Sequence, residues 1–189
     1  MKSKKVVITG GPSTGKTVII QQLEACGYTC FHEIVRTMTL EAKKKGNPEA
    51  FVSNPLAFVK DPFEFNQRIL SGRKEQFSNS VNINDPYVFF DRGIPDVLAY
   101  MDYFDQSYTR DFEEACTTNR YNKVLILPPW EKIYVSDNER LESFEEAIEI
   151  HDHLKRTYIS YDYEPVLIPT GTVEERISFI LNELKEGLR

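Results

Sequence analysis

The sequence predicts an α/β fold: a central parallel sheet of about five strands, covered by helices on both faces. Three observations predict it. Short apolar, often β-branched runs alternate with longer segments of helical periodicity along the chain. The runs are apolar at consecutive positions, as strands buried on both faces require. No repeat, linker or low-complexity tract interrupts the alternation, so 1–189 is expected to form one domain.

The elements follow in order. Lys5-Val6-Val7-Ile8-Thr9 reads as a buried strand that stops at Gly10-Gly11. Over 15–26, Val18, Ile19, Ile20 and Leu23 sit at helical spacing, and Gly27 suits the helix end. Tyr28-Thr29-Cys30-Phe31 is a second short strand, with a helix expected over about 33–45. Gly46, Asn47, Pro48, Asn54 and Pro55 make 46–60 a loop. A long helix follows over about 61–79, with Pro62 in its first turn. Pro86-Tyr87-Val88-Phe89-Phe90 is the clearest interior strand and ends at Asp91-Arg92-Gly93. Helices are expected over 94–119, then a strand at Lys123-Val124-Leu125-Ile126-Leu127 that Pro128-Pro129 ends. Residues 131–143 are polar and lid-like. Phe144, Ala147, Ile148, His151, Leu154 and Tyr158 then mark an amphipathic helix. Pro165-Val166-Leu167-Ile168 is the last strand, and Val173, Ile177, Ile180, Leu181 and Leu184 mark the closing helix.

Composition narrows the class. Hydrophobic residues are 41% and charged residues 28%, ordinary for a globular chain with a core. No apolar run reaches the roughly 20 residues of a membrane helix. Val6-Val7-Ile8-Thr9, after a basic start, is too short for a signal-peptide core, so a cytoplasmic protein is expected. The net charge of -6 gives no general attraction to nucleic acid or anionic lipid, and neither is an expected partner. Cys26, Cys30 and Cys116 form no CxxC pair, which argues against a disulfide framework or structural zinc.

One motif carries chemistry. Gly10-Gly11-Pro12-Ser13-Thr14-Gly15-Lys16-Thr17 matches GxxxxGK[ST] in full. The glycines permit a tight turn whose backbone N–H groups converge on a phosphate. The following helix adds its positive N-terminal end. Lys16 would reach the β and γ phosphates of ATP or GTP, and Thr17 would offer its hydroxyl to Mg²⁺. A Gly-rich turn can match by chance, but here it joins a buried strand to an amphipathic helix, the context the motif requires. Asp91, at the tip of an apolar strand, is the second expected Mg²⁺ group. Its alternative is to cap the helix that starts near Gly93.

Beyond this loop, the whole chain resembles the AAA-type "ATPase 28" family of P-loop proteins. That family is related to the ribosylnicotinamide-kinase domain of NadR and, more distantly, to nucleoside and nucleotide kinases. The likeness rests on the loop, on His32-Glu33-Ile34-Val35-Arg36, on Phe90-Asp91-Arg92-Gly93-Ile94-Pro95-Asp96-Val97-Leu98-Ala99-Tyr100, and on Leu127-Pro128-Pro129-Trp130-Glu131 running on to Asp137-Asn138-Glu139-Arg140. The resemblance implies a three-layer P-loop NTPase fold of nucleotide-kinase type. It implies that Glu33 orients or deprotonates an acceptor hydroxyl, and that Arg92 contacts phosphate or substrate. It implies that Arg140, in the lid-like segment, meets the transferring phosphoryl group, while Arg36, Gln67 and Arg68 line the acceptor side. Each has a plainer alternative. Glu33 and Arg36 lie three apart and could pair on a helix surface. Arg140 and Arg68 could be solvated.

Other signals are set aside. Asn122-Lys123 opens like a guanine-reading NKxD motif, but Leu125 stands where the Asp belongs. His151 and His153, two apart on a helix, point to different faces and make no metal pair. Phe63, Phe65 and Phe77 are expected to pack on the sheet. The leading expectation is therefore an ATP-dependent small-molecule kinase that binds Mg²⁺, a nucleoside triphosphate and a small hydroxyl or phosphate acceptor. A nucleotide switch and a simple NTPase stay open as alternatives.

Overall fold

The computed structural model describes residues 3–35, 61–134 and 142–186. Five parallel strands form its centre: β1 (Lys4–Gly10), β2 (Thr29–Phe31), β3 (Tyr87–Asp91), β4 (Lys123–Leu127) and β5 (Val166–Leu167), in the order β2-β3-β1-β4-β5. Six α-helices lying wholly within the described residues surround them: α1 (Lys16–Ala25), α2 (Pro62–Asn79), α3 (Pro95–Tyr103), α4 (Arg110–Thr118), α5 (Phe144–Ser160) and α6 (Val173–Glu186). The stretch expected to be helical over 94–119 is thus two helices, α3 and α4. Of the helix expected from about 33, the described residues include only its start, with Ile34 and Val35 helical. The loop at 46–60 and most of the lid-like segment lie outside the described residues.

Strand alternation builds the three layers. Val6, Ile8, Phe89, Leu125 and Leu127 face one side and pack with α1 and α6 through Ile19, Leu23, Ile177 and Ile180. Val7, Val88, Phe90 and Val124 face the other and pack with α2, α3 and α4 through Ile69, Leu98 and Phe112. Phe63, Phe65 and Phe77 lie against this second cluster, as the sequence led us to expect. The sheet is apolar on both faces because both are covered.

The helices start where local chemistry permits. Asp61 accepts hydrogen bonds from Phe63 N and Glu64 N, and Pro62 needs no such partner at the first turn of α2. Ser143 and Glu146 form a reciprocal capping box at the start of α5, just beyond the lid-like segment.

Strand order places the site. β1 is central, between β3 and β4: the chain passes over β3 to one side in going from β1 to β2, and over β1 to the other side in going from β3 to β4. Such a switch point opens a crevice at the carboxyl ends of the strands. Register sets Asp91 beside Ile8, so the β3 carboxylate stands next to the loop that leaves β1. Asn122 sits at the opposite end, where its Oδ1 accepts from Lys5 N at 2.7 Å. That placement keeps it from reading a base at the loop and agrees with setting aside the partial NKxD match.

Leu125 is wholly buried in β4. Leu125→Ala should cost about 2–5 kcal/mol of stability, because the cavity cannot close in a sheet packed on both faces. Urea unfolding measures it; a loss below about 1 kcal/mol would contradict this packing.

Candidate functional site

The loop after β1 is a tight, left-handed turn. Gly10 has φ 150°, Ser13 φ 55° and Gly15 φ 83°. A Cβ on Gly10 would lie 2.7 Å from Leu127 O, so the backbones of β1 and β4 approach too closely for any side chain there. Lys16 folds back over the loop and donates to Gly10 O at 2.8 Å and Gly11 O at 2.7 Å. Thr14 Oγ1 donates to Gly11 O at 3.0 Å. Burial, with the nearby Arg92 charge, pushes the Lys16 amine down to about 7. A bound polyphosphate would restore its charge.

Arg176 of α6 holds the loop from the other side. Its Nη2 donates to Thr14 O at 2.7 Å, and a Cβ on Gly15 would come within 3.0 Å of its Nη1. Glycine at this position therefore admits both the turn and the guanidinium. The sequence reading missed Arg176. Its signal was there: with Val173, Ile177 and Ile180 it falls on the apolar stripe of α6, where a solvated arginine does not belong.

Beside the loop lies a buried ion cluster. The turn after β3 carries Arg92 in a left-handed conformation, φ 74°, with its N–H donating to Ile8 O at 3.0 Å. Arg92 Nε pairs with Glu33 Oε1 at 2.6 Å. Its Nη1 lies 3.3 Å from both Asp96 Oδ1 and Gly10 O. The Tyr100 ring sits 5.0 Å from the guanidinium carbon, a cation–π contact. Arg73 of α2 donates to Gly93 O at 2.6 Å and fixes the same turn.

Asp96 ties the cluster together. Fully buried, it accepts from Thr9 Oγ1 at 2.5 Å, Tyr158 OH at 2.5 Å and Gly93 N at 3.0 Å, besides facing Arg92. Burial pushes its carboxyl up, but Arg73, Arg92 and the two hydroxyl bonds outweigh this and hold it below the usual range. Burial likewise opposes the charge of Glu33, yet Arg92, Lys16 and Arg73 pull its pKa below normal. Both acids are thus anions at neutral pH.

The fold brings together Gly10, Gly11, Pro12, Ser13, Thr14, Gly15, Lys16 and Thr17 of the loop with Glu33, Asp91 and Arg92. Thr17 is half-buried and Asp91 is 3% exposed. Arg36 and Arg140 lie outside the described residues. Gln67 and Arg68 are not drawn into the cluster: α2 turns Asn66, Ile69, Leu70 and Arg73 inward and leaves those two exposed. Asp96 and Arg73, which the sequence reading gave no role in the site, are the residues that hold it. His151 is half-buried, and burial lowers its pKa, while His153 lies edge-on to Tyr103.

A hydroxyl and a carboxylate are hard oxygen donors, which suits Mg²⁺. Among the described residues, no three His, Cys, Asp or Glu side chains gather as a self-sufficient metal site. Thr17 and Asp91 therefore fit an ion that takes its remaining ligands from phosphate and water.

A strand, a phosphate-cradling loop and a helix in this arrangement, at the centre of a 2-3-1-4-5 parallel sheet, define a P-loop protein of nucleotide-kinase fold. The chain belongs to the AAA_28 family of AAA domains, whose model matches residues 5–176. Three solved structures share the fold. NadR in complex with NR superposes with a TM-score of 0.70 at 20% identity, over 96% of this chain and 51% of that one. Deoxyadenosine kinase from M. mycoides with bound dATP gives 0.66 at 20%, over 96% and 99%. Thymidylate kinase from Candida albicans gives 0.67 at 12%, over 98% and 92%. No curated protein sequence matches the chain. No helix among the described residues is long and apolar enough to cross a membrane.

Asp96→Asn keeps the shape but strips a buried charge from two arginines, and should cost about 3–5 kcal/mol. The Asp96 pKa is depressed below 3.8, so its stabilisation is complete above that pH and fades as pH falls further. The variant should therefore lose part of the acid sensitivity of the parent. Urea midpoints across the acid range measure this; parallel pH curves for the two proteins would refute it.

Proposed function

We propose that this protein is a small-molecule kinase that moves the γ-phosphoryl group of ATP, or GTP, to an acceptor hydroxyl. One observation carries the reading: an ionised carboxylate, Glu33, is held 2.6 Å from Arg92 at the edge of the phosphate loop. A simple hydrolase or switch has no need of a carboxylate anchored beside the phosphate loop. The likeness to NadR, deoxyadenosine kinase and thymidylate kinase supports the same reading.

The chain 1–189 would act as one unit, with 131–143 as its lid. Loop amides and Lys16 bind the triphosphate. Thr17 and Asp91 would hold Mg²⁺, which when bound supplies neutralising charge to the phosphates. Glu33 accepts a hydrogen bond from the acceptor hydroxyl and aims its oxygen at the γ phosphorus. The new P–O bond forms as the bond to the β–γ bridging oxygen breaks, and ADP leaves. The hydroxyl proton passes to Glu33. A loose transition state needs this proton late, so a carboxylate of low basicity suffices. Arg92 and Arg140 offset the charge that develops on the phosphoryl oxygens. Such chemistry takes place in the cytoplasm, where the triphosphate is plentiful.

Nucleotide-dependent phosphorylation of acceptors, followed by mass spectrometry, tests the reading. ATP or GTP consumption that gives only free phosphate, whatever acceptor is present, would overturn it. Lys16→Ala should weaken triphosphate binding about 10- to 100-fold in calorimetry, the worth of a lost charge-assisted contact. Glu33→Gln should slow turnover about 10²- to 10⁴-fold and leave ATP affinity nearly unchanged. Arg140→Ala should lower turnover more than nucleotide affinity; an equal loss in both would move it from catalysis to binding.

A further inference from the structure

We infer that Arg176 is a positioning residue for the nucleotide: through the Thr14 carbonyl it aims the Gly15 N–H at the β-phosphate. This rests on the nucleotide-binding part of the kinase reading. It does not depend on which acceptor takes the phosphoryl group.

The support beneath Arg176 is firm. The residue stands in the first turn of α6, and its N–H donates to Thr172 O at 3.1 Å. Thr172 and Glu175 cap that turn reciprocally. Glu175 N donates to Thr172 Oγ1 at 3.2 Å, and Thr172 N donates to Glu175 Oε2 at 2.8 Å. Farther along, Ile177, Ile180 and Leu184 share one apolar cluster with Ile19, Ile20 and Leu23 of α1. Leu184 O also accepts from Tyr87 OH of β3 at 2.8 Å. The helix that carries the guanidinium is therefore packed against the helix that leaves the phosphate loop.

The contact is directional. Arg176 is 5% exposed, and its Nη2 donates to Thr14 O at 2.7 Å. A Cβ on Gly15 would lie 3.0 Å from Nη1 and 3.4 Å from Nη2, so the guanidinium lies alongside the Thr14–Gly15 peptide. That peptide is trans. Its C=O and N–H therefore point to opposite sides. A carbonyl held toward Arg176 leaves the Gly15 N–H directed away from it. In a GxxxxGK turn, amides of this kind cradle phosphate.

Stability alone does not account for a cation here. Gly15 is the N-cap of α1, an end that is already positive. Burial further opposes the guanidinium charge. An anion in the turn converts that cost into attraction, from the amides, Lys16 and Arg176 together.

Calorimetry with Mg²⁺ and ADP, and with a non-hydrolysable ATP analogue, tests the role. Arg176→Met keeps the stem and removes the fork. It should weaken both ligands by about tenfold, the worth of a charge-assisted bond. The factor should be the same for both, because both carry the β-phosphate. NMR adds a readout that a merely structural residue would not move. In the parent, ADP should shift the Gly15 amide proton downfield; in Arg176→Met that shift should be largely lost. Arg176→Lys keeps the charge without the planar fork and should lose about threefold in affinity, with a smaller Gly15 shift. It carries the test if Arg176→Met does not fold. Parent-like ADP affinity, or a parent-like Gly15 shift, in the folded variant would overturn the inference. So would a loss confined to the ATP analogue. A parent that binds neither ligand would remove the nucleotide-binding reading and this inference together.

Discussion

A carboxylate shut away from water, Asp96, joins three stretches that the sequence keeps far apart: Thr9 at the end of β1, the Arg92–Gly93 turn after β3, and Tyr158 near the end of α5. A buried charge is expensive unless every lone pair is used and a counter-ion is near. Asp96 meets both conditions, and so its partners have little freedom. Arg92 is held in a left-handed backbone conformation that few side chains adopt, with its guanidinium aimed at Glu33. The loop that leaves β1 inherits its starting point from the same node, through Thr9 and through Gly10 O.

From that node the site follows. The loop lies between two guanidiniums, Arg92 on one side and Arg176 on the other. Lys16 is already curled over the carbonyls of the turn, its charge weakened by burial, so phosphate entry exchanges backbone acceptors for an anion. α5, capped at its start by Ser143 and Glu146, reaches the node through Tyr158. Preorganised charge of this kind suits phosphoryl transfer, where positioning and neutralisation do most of the work.

Legibility in the sequence differed by residue for physical reasons. The phosphate loop is local: eight consecutive residues must make one turn, so their spacing is visible. Asp91 was legible because a charged residue ends an apolar run. Gln67 and Arg68 were drawn toward the site by resemblance, but the phase of α2 carries Asn66, Ile69, Leu70 and Arg73 inward instead. Helical spacing alone would have pointed to Arg73, a charged residue on an apolar stripe. Arg176 falls under the same rule. Asp96 gave no such signal, since an acid in the first turn of a helix ordinarily serves the helix dipole.

Hydrophobic period, turn chemistry and one contiguous motif determined the layers, the five strands and the phosphate loop, because those depend on neighbours within a few residues. Tertiary structure decided the strand order, the pairing of Glu33 with Arg92, the burial of Asp96 beneath both, and the placing of Arg176 over Gly15. Those arrangements join residues dozens to more than a hundred positions apart. Their energy comes from exclusion of water and from charge balance, and both exist only once the separate stretches have met in space.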